Sequence, residues 1–225
     1  ATPYPRIYPA PGVSQVVEPL YEERRIEVVH FFNVDSVDSA QKKIYSLEGD
    51  ALDFDLLLAV PPHWGAEVVR SSGIGDKEGW IATNKYELNI IGYDDAYALG
   101  DATNLPISKT GVVAHLEAKV VVENILADLE GLDVRHKFNG RINCPFETGG
   151  GKGTFVIATY ESPPKPIQPT RLNFWMKRGF SYMYWTTLSG RWEPLFNLYF
   201  GRTSMKALRT QPLSTHPLLQ TTVKG

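Results

Sequence analysis

Residues 94–101 read Asp-Asp-Ala-Tyr-Ala-Leu-Gly-Asp, and this segment constrains the fold more than any other part of the chain. Residues 96–99 predict a compact strand that ends at Gly100 and Asp101. A strand that leads into a long helix is typical of α/β proteins, in which ligands bind at the carboxyl ends of the strands. Gly100 would let a ligand approach the backbone, and Asp101 would accept a hydrogen bond from a sugar-like hydroxyl. Gly-Asp is also common in ordinary turns, so the segment alone does not establish a ligand site.

The remaining patterns predict alternating helices and strands. The most regular helix covers residues 111–127, with Thr110 as its N-cap and Gly131 as its stop signal. Residues 54–60 form a near-continuous apolar run, which predicts a strand buried on both faces of a sheet. Further helices are predicted at 13–24, with a kink or early end at Pro19, and at 66–72; further strands are predicted at 26–32, 42–47 and 80–83, and a β-rich segment at 138–159.

The composition limits the classes of function. The chain has 225 residues, a 43% hydrophobic and 21% charged composition and a formal net charge of -2, which gives no drive toward nucleic acid. No apolar run approaches the roughly 20 residues that a membrane-spanning helix needs, so any membrane contact is expected to be peripheral. The first residues show no signal-peptide pattern. The five histidines are scattered without metal-ligand spacing, so no metal site is predicted.

Several motifs in order resemble a known superfamily. Pro61-Pro62 closes the apolar run, Gly-Trp-Ile follows at 79–81, the Gly-Asp segment comes next, and Lys-Thr-Gly at 109–111 opens the long helix. This order resembles the second FAD-binding motif of the pyridine nucleotide-disulfide oxidoreductase superfamily. The resemblance implies an α/β fold, that of a partial two-dinucleotide-binding-domain (Rossmann-like) flavoprotein. It also implies FAD as cofactor, with Asp101 on the ribityl chain and the helix N-terminus directed at the flavin pyrimidine, where negative charge is stabilised. The implied cofactor-binding residues are Gly100, Asp101, Lys109, Thr110 and Gly111.

Two further segments are similar to the sulfide:quinone oxidoreductases. Residues 108–114 (Ser-Lys-Thr-Gly-Val-Val-Ala) look like the corresponding segment of that family, and residues 143–153 (Asn-Cys-Pro-Phe-Glu-Thr-Gly-Gly-Gly-Lys-Gly) resemble its redox-cysteine segment. A lone cysteine is more often a small buried hydrophobe. The resemblance reverses that interpretation and implies a catalytic role for Cys144, with a second cysteine outside these residues. Lys152 could lower the pKa of a neighbouring thiol or stabilise an anionic quinone; the alternative is a solvated lysine in a glycine-rich turn.

Residues 171–192 interleave aromatic and cationic side chains. In the resembled family, this region provides the quinone pocket and amphipathic elements that dip into the membrane. Phe180, Tyr182 and Tyr184 are the expected quinone contacts, and the implied location is peripheral, at the cytoplasmic membrane. A dimer or domain interface is the alternative for the same segment, and the sequence leaves open whether the chain forms a homo-oligomer.

The resemblance runs from about residue 13 to residue 200 and lacks one part of the family's pattern. The Gly-x-Gly-x-x-Gly fingerprint that cradles the FAD pyrophosphate is not among these residues. We therefore expect an N-terminal FAD-binding half in the same gene or on a separate chain. The implied regions are the latter part of the second, NAD(P)-like domain at 1–92, the returning FAD segment at 93–137, the cysteine and quinone region at 138–200, and a tail at 201–225.

The resemblance implies oxidation of sulfide to sulfane sulfur or polysulfide, with electrons passing to a membrane quinone. A type II NADH:quinone dehydrogenase or a flavocytochrome c sulfide dehydrogenase-like flavoprotein is the first alternative, and a non-catalytic subunit or fragment of a split flavoprotein is the second. His115 and Glu117 lie on the helix behind the expected flavin site, where the family more often has other polar residues. This departure admits a role in proton delivery, although a structural role is favoured.

Overall fold

The computed structural model describes residues 1–8 and 10–188, together with Pro194, Leu198 and residues 208–209. The chain divides into two compact units, each assembled from segments that are distant in sequence. The first unit contains Ala1–His63, Pro145–Val156 and Pro163–Gly179; the second contains Trp64–Cys144, Ile157–Ser162 and the described residues from Phe180 onward. The sequence-based boundaries at 92 and 137 follow the resemblance, not compactness, and they stay a prediction.

The first unit begins with the predicted helix and a small antiparallel sheet. Helix α1 covers Pro11–Glu23, and Pro19 does not end it. Proline at the first helical position fits because that N–H has no partner within the helix. Strands β1 (Val34–Asp38), β2 (Lys43–Ser46) and β3 (Ala51–Asp53) then form a three-stranded sheet in the order β1-β2-β3. Strand β2 confirms the prediction at 42–47, and a turn follows it at Gly49, with φ of +94°.

The strand predicted at residues 26–32 is wrong, because the first strand begins only at Val34. Arg25 and Phe31 have φ of 55° and 56°, in the left-handed region that interrupts an extended strand. The stretch between them is held by the N-terminal loop instead: the Thr2 amide donates to the Val29 carbonyl at 2.9 Å. Apolar content alone did not reveal these two backbone reversals.

The buried strand predicted at residues 54–60 is also wrong. This segment is not a strand, and Leu56, Leu58 and Val60 are 78%, 87% and 85% exposed. The sheet ends at β3 just before it. A continuous apolar run indicates side chains that gain from burial, but it does not supply the neighbouring strands that would bury them.

The second unit carries the Gly-Asp segment on irregular backbone. The short helix predicted at 66–72 is confirmed as α2 (Glu67–Ser72). The strands predicted at 80–83 and 96–99 are reduced to isolated bridges. Residues 80–83 make three of them, including the parallel bridge of Ile81 with Thr103, and Tyr97 makes one, antiparallel with Asn89. A 3₁₀ turn, Gly100–Ala102, follows at once.

Helix α3 (Gly111–Leu129) confirms the strongest helix prediction, including its capping. The Thr110 hydroxyl accepts a hydrogen bond from the Val113 amide at 3.3 Å. The helix stops where Gly131 adopts φ of +66° and the Leu132 amide donates to the Ala127 carbonyl at 2.8 Å. One apolar face of α3 packs into the core of the second unit, which consists of Leu88, Leu105, Val113, Leu116, Val120, Val121 and Phe138.

A β-rich region and an aromatic helix complete the described chain. Strands β4 (Val134–Arg135), β5 (Ile142–Gly149), β6 (Lys152–Ala158) and β7 (Lys165–Pro166) precede helix α4 (Arg171–Leu188), and β8 (Leu208–Arg209) pairs with β4. Strands β5, β6 and β7 form a sheet in that order, and β5 and β6 confirm the β-rich segment predicted at 138–159. The predicted tail lies outside the described residues except for β8.

Candidate flavin and cysteine site

The Gly100–Asp101 turn is fixed by hydrogen bonds at both ends of Gly100. The Gly100 amide donates to Glu117 Oε2 at 2.6 Å, and the Gly100 carbonyl accepts from the Thr103 hydroxyl at 2.9 Å. Gly100 has φ of +65°, and a Cβ there would meet the Ala114 Cβ at 3.2 Å, so the position favours glycine on both counts. Asp101 is exposed, and no described residue hydrogen-bonds or ion-pairs with its carboxylate. The turn therefore presents a free acceptor at a fixed place.

Lys109 and Thr110 support the backbone that opens α3. Lys109 Nζ donates to the Thr103 carbonyl at 2.5 Å and lies 5.1 Å from the centre of the Trp80 ring. Thr110 caps the helix and leaves the amides of the first turn, at Gly111 and Val112, without partners within the helix. The side chains of Lys109 and Thr110 thus hold the loop in place, and the free backbone amides at the helix N-terminus are the hydrogen-bond donors available to a ligand.

Cys144 lies on β5, in the second unit, and its side chain is half-buried. Burial raises the pKa of its thiol above the ordinary value. The raised pKa opposes formation of the thiolate that redox chemistry requires. Lys152, the residue expected to assist a thiol or quinone, lies on β6 in the first unit.

Helix α4 separates the three aromatic residues expected to contact a quinone. Phe180 and Tyr184 are one turn apart on the same side, with ring centres 5.4 Å apart, and Phe180 packs against the core of the second unit. Tyr182 faces away and is 78% exposed. A Cβ added at Gly111 would lie 3.2 Å from the Tyr184 hydroxyl, so α4 brings this side chain to the start of α3.

Glu117 is fully buried at this site, which was not predicted from the sequence. Its side chain is 0% exposed on α3, yet it carries the carboxylate that accepts from Gly100. Its helical spacing from Val113 and Val120 places it on the apolar face of α3, and this spacing could have indicated that it is buried. His115, the other residue of α3 for which the sequence admits a role in proton delivery, is only partly buried.

The part of the chain that the structure describes contains neither a metal-ion cluster nor a membrane-spanning helix. No group of three or more His, Cys, Asp or Glu side chains in the described ranges could hold a metal ion. None of the helices in the described part of the chain is long and apolar enough to cross a membrane.

Comparison with known proteins confirms the resemblance to the sulfide:quinone oxidoreductases. The chain is 26% identical over 208 residues to the mitochondrial sulfide:quinone oxidoreductase of Dictyostelium discoideum, covering 85% of this chain and 46% of that protein. It is 29% identical over 153 residues to the mitochondrial enzyme of Schizosaccharomyces pombe, covering 62% of this chain and 33% of that protein. The chain thus spans a third to a half of these relatives. No protein-family model matches it.

Solved structures show the same relationship in the fold. The sulfide:quinone oxidoreductase of Aquifex aeolicus superposes with a TM-score of 0.73 at 19% identity, covering 94% of this chain and 54% of that one. A chain in the mitochondrial ATP synthase F1Fo tetramer of Tetrahymena thermophila gives 0.63 at 21% identity, covering 90% and 50%. An NAD-dependent persulfide reductase from A. fulgidus gives 0.50 at 17% identity, covering 71% and 31%. The α/β fold is therefore that of these proteins, and over most of its length the chain is similar to part of a sulfide:quinone oxidoreductase.

Proposed function

We propose that this chain supplies the ribityl- and ring-binding share of an FAD site in a sulfide:quinone oxidoreductase-like flavoenzyme. The enzyme would oxidise sulfide to sulfane sulfur or polysulfide and pass the electrons to a quinone. The observation that carries the proposal is the similarity to the Dictyostelium enzyme, which covers 85% of this chain. A complementary FAD-binding half, in the same gene or on a separate chain, would provide the pyrophosphate cradle.

The residues at the Gly-Asp turn fit a flavin dinucleotide. The Asp101 carboxylate is exposed and has no hydrogen-bond or ion-pair partner among the described residues, so it is available to accept a hydrogen bond from a ribityl hydroxyl. Gly111 places no side chain at the helix N-terminus, where backbone amides favour the negative charge that reduced flavin carries. Gly100, Lys109 and Thr110 would hold this backbone in place. Bound FAD would supply the two-electron redox chemistry.

Cys144 would be the sulfur-handling residue of this chain. Sulfide oxidation by attack on a disulfide or polysulfide needs a second cysteine, and Cys144 is the only cysteine in the sequence. The complementary half would therefore supply the other thiol. Because burial raises the pKa of Cys144, the assembled enzyme would need a cation beside this thiol to help form the thiolate.

The exposed side of α4 suits peripheral contact with the membrane that holds the quinone. Several of its large exposed side chains are apolar or aromatic, and the exposed Arg171 and Arg178 lie among them in sequence, together with the partly buried Lys177. Amphipathic helices of this kind bury aromatic rings at the acyl boundary and keep cations at the headgroups. Phe180, which packs against the core, and Tyr184, whose ring contacts that of Phe180, are the better candidates for quinone contact. The exposed large hydrophobic side chains of α4 are Leu172, Trp175, Met176, Tyr182 and Trp185.

Anaerobic reduction of the flavin-loaded assembly tests this function. Sulfide should bleach the visible flavin band rapidly, and Cys144→Ser should abolish that bleaching while leaving FAD bound, because a hydroxyl cannot replace the thiolate. Bleaching by NADH that survives Cys144→Ser would instead support a type II NADH:quinone dehydrogenase, in which the cysteine is incidental.

A non-catalytic subunit is the second candidate, and the Tetrahymena structure favours it. A chain of similar fold is present in that ATP synthase tetramer. If this chain has such a role, it should co-migrate with ATP synthase on a native gel of mild-detergent extracts and carry no flavin. A flavin-containing band that migrates apart from ATP synthase would exclude this candidate.

A further inference from the structure

Glu117 is a buried acid directly behind the turn that carries Asp101. Its side chain is 0% exposed, and Oε2 accepts from the Gly100 amide at 2.6 Å. The other oxygen, Oε1, is also buried and has no hydrogen-bond partner among the described residues. An ordinary structural carboxylate would have both oxygens satisfied. A neutral carboxyl costs far less to bury than a charged one, so this environment favours the protonated form.

We propose that Glu117 is a positioning residue that binds a proton. It holds Asp101 in place through Gly100, and its protonation depends on the charge present around the Gly100–Asp101 turn. The hydrogen bond to the Gly100 amide fixes the conformation at φ of +65°, and the next residue in the turn is Asp101. The opposite end of Gly100 is held by Thr103, whose own carbonyl accepts from Lys109. Glu117 is the one ionisable side chain bonded directly to Gly100 in the described chain.

The groups around Glu117 determine whether its pKa is raised or lowered. Burial raises the pKa of Glu117 most, the Gly100 hydrogen bond and the positive charge of Lys109 lower it, and the negative charge of Asp101 raises it. Glu117 in turn contributes to raising the pKa of Tyr160, whose main cause is burial. The binding of a proton and the placement of a charge at this turn affect each other equally. Any further negative charge beside the Gly100–Asp101 turn should therefore make Glu117 bind its proton more tightly.

The inference extends the proposed FAD site, but its first test needs no flavin. In the ¹⁵N-labelled full chain, the Gly100 amide shift should titrate with Glu117, with a midpoint above the ordinary glutamate value of about 4.3. Glu117→Gln keeps an acceptor oxygen without a titrating proton, so the Gly100 shift should become independent of pH over that range. Lys109→Gln should raise the wild-type midpoint, and Asp101→Asn should lower it.

Removing the acceptor gives a second readout. Glu117→Leu leaves the Gly100 amide without its partner, so its hydrogen exchange should accelerate by about tenfold or more, while Glu117→Gln should restore protection. Amides in the second half of α3 report whether the leucine variant is folded. A Gly100 titration that persists in Glu117→Gln, or a midpoint unchanged in both Lys109→Gln and Asp101→Asn, would overturn the inference. Loading FAD into the assembly should raise the midpoint of the Gly100 titration. If the Lys109 and Asp101 substitutions shift this midpoint in the free chain but FAD loading does not, the result would count against the flavin site alone.

Discussion

The Cys144 thiol gives the clearest prediction at the scale of a single residue. Its raised pKa means that the native chain holds less thiolate at neutral pH than the unfolded chain. Since the thiolate is the nucleophile, alkylation by iodoacetamide should rise with pH at a higher midpoint in the native chain than in urea. Cys144 is the sole cysteine, so the labelling is unambiguous. Equal midpoints in the two states would show that burial does not control this thiol.

The structural role of a residue could be predicted where it depends only on neighbouring residues in the sequence. Thr110 as N-cap and Gly131 as stop follow from short-range hydrogen bonding, and both are observed. The burial of Glu117 could not be predicted in the same way, because it depends on which elements pack around α3. The roles of Asp101 and Cys144 come from resemblance and stay predictions.

At the scale of elements, capping by Thr110 can be measured directly. Thr110→Ala removes the acceptor for the Val113 amide and should lower the free energy of unfolding by about 1 kcal/mol in urea denaturation. Thr110→Ser retains the hydroxyl and should recover most of that loss. Equal loss in both variants would mean that packing of the threonine methyl, not capping, stabilises the start of α3.

Helix α4 should attach the protein to lipid through its exposed aromatic side chains. Trp175 is 66% exposed, so Trp175→Glu should leave the fold intact but weaken liposome binding on the order of tenfold, the effect expected for losing one large buried apolar side chain. Trp64→Glu changes an exposed tryptophan elsewhere and serves as control. Unchanged flotation of the Trp175 variant would favour a protein interface for this helix.

Helices were predicted better than strands, for a physical reason. The pattern of α3 lies within one segment, whereas a strand requires a partner from elsewhere. Residues 54–60 have the composition of a buried strand but lack neighbours to pair with. The segments at 80–83 and 96–99 retain only isolated bridges, one of which joins Ile81 to Thr103, just after the Gly-Asp turn.

At the scale of the whole molecule, the exposed run at 54–60 should report on the complementary half. The relatives are two to three times longer than the aligned part of this chain, and the extra length could supply the missing strands. Leu58→Asp should hardly change the stability of the isolated chain, because Leu58 is exposed. It should weaken association with the complementary half by about tenfold to a hundredfold. Leu47→Asp, in an exposed turn, is the matched control, and equal effects of the two would remove residues 54–60 from the interface.

The flavin content of the chain, alone and with its complementary half, tests the central claim most directly. The residues here provide the ribityl and ring contacts without the pyrophosphate cradle, whose charge-assisted hydrogen bonds contribute roughly 1.5–3 kcal/mol each. Losing two of them weakens affinity by on the order of a hundredfold or more. The purified chain should therefore be colourless, and its assembly with the complementary half should show one FAD per chain in the visible spectrum. A stoichiometric flavin band in the chain alone, or no flavin in the assembly, would contradict the account.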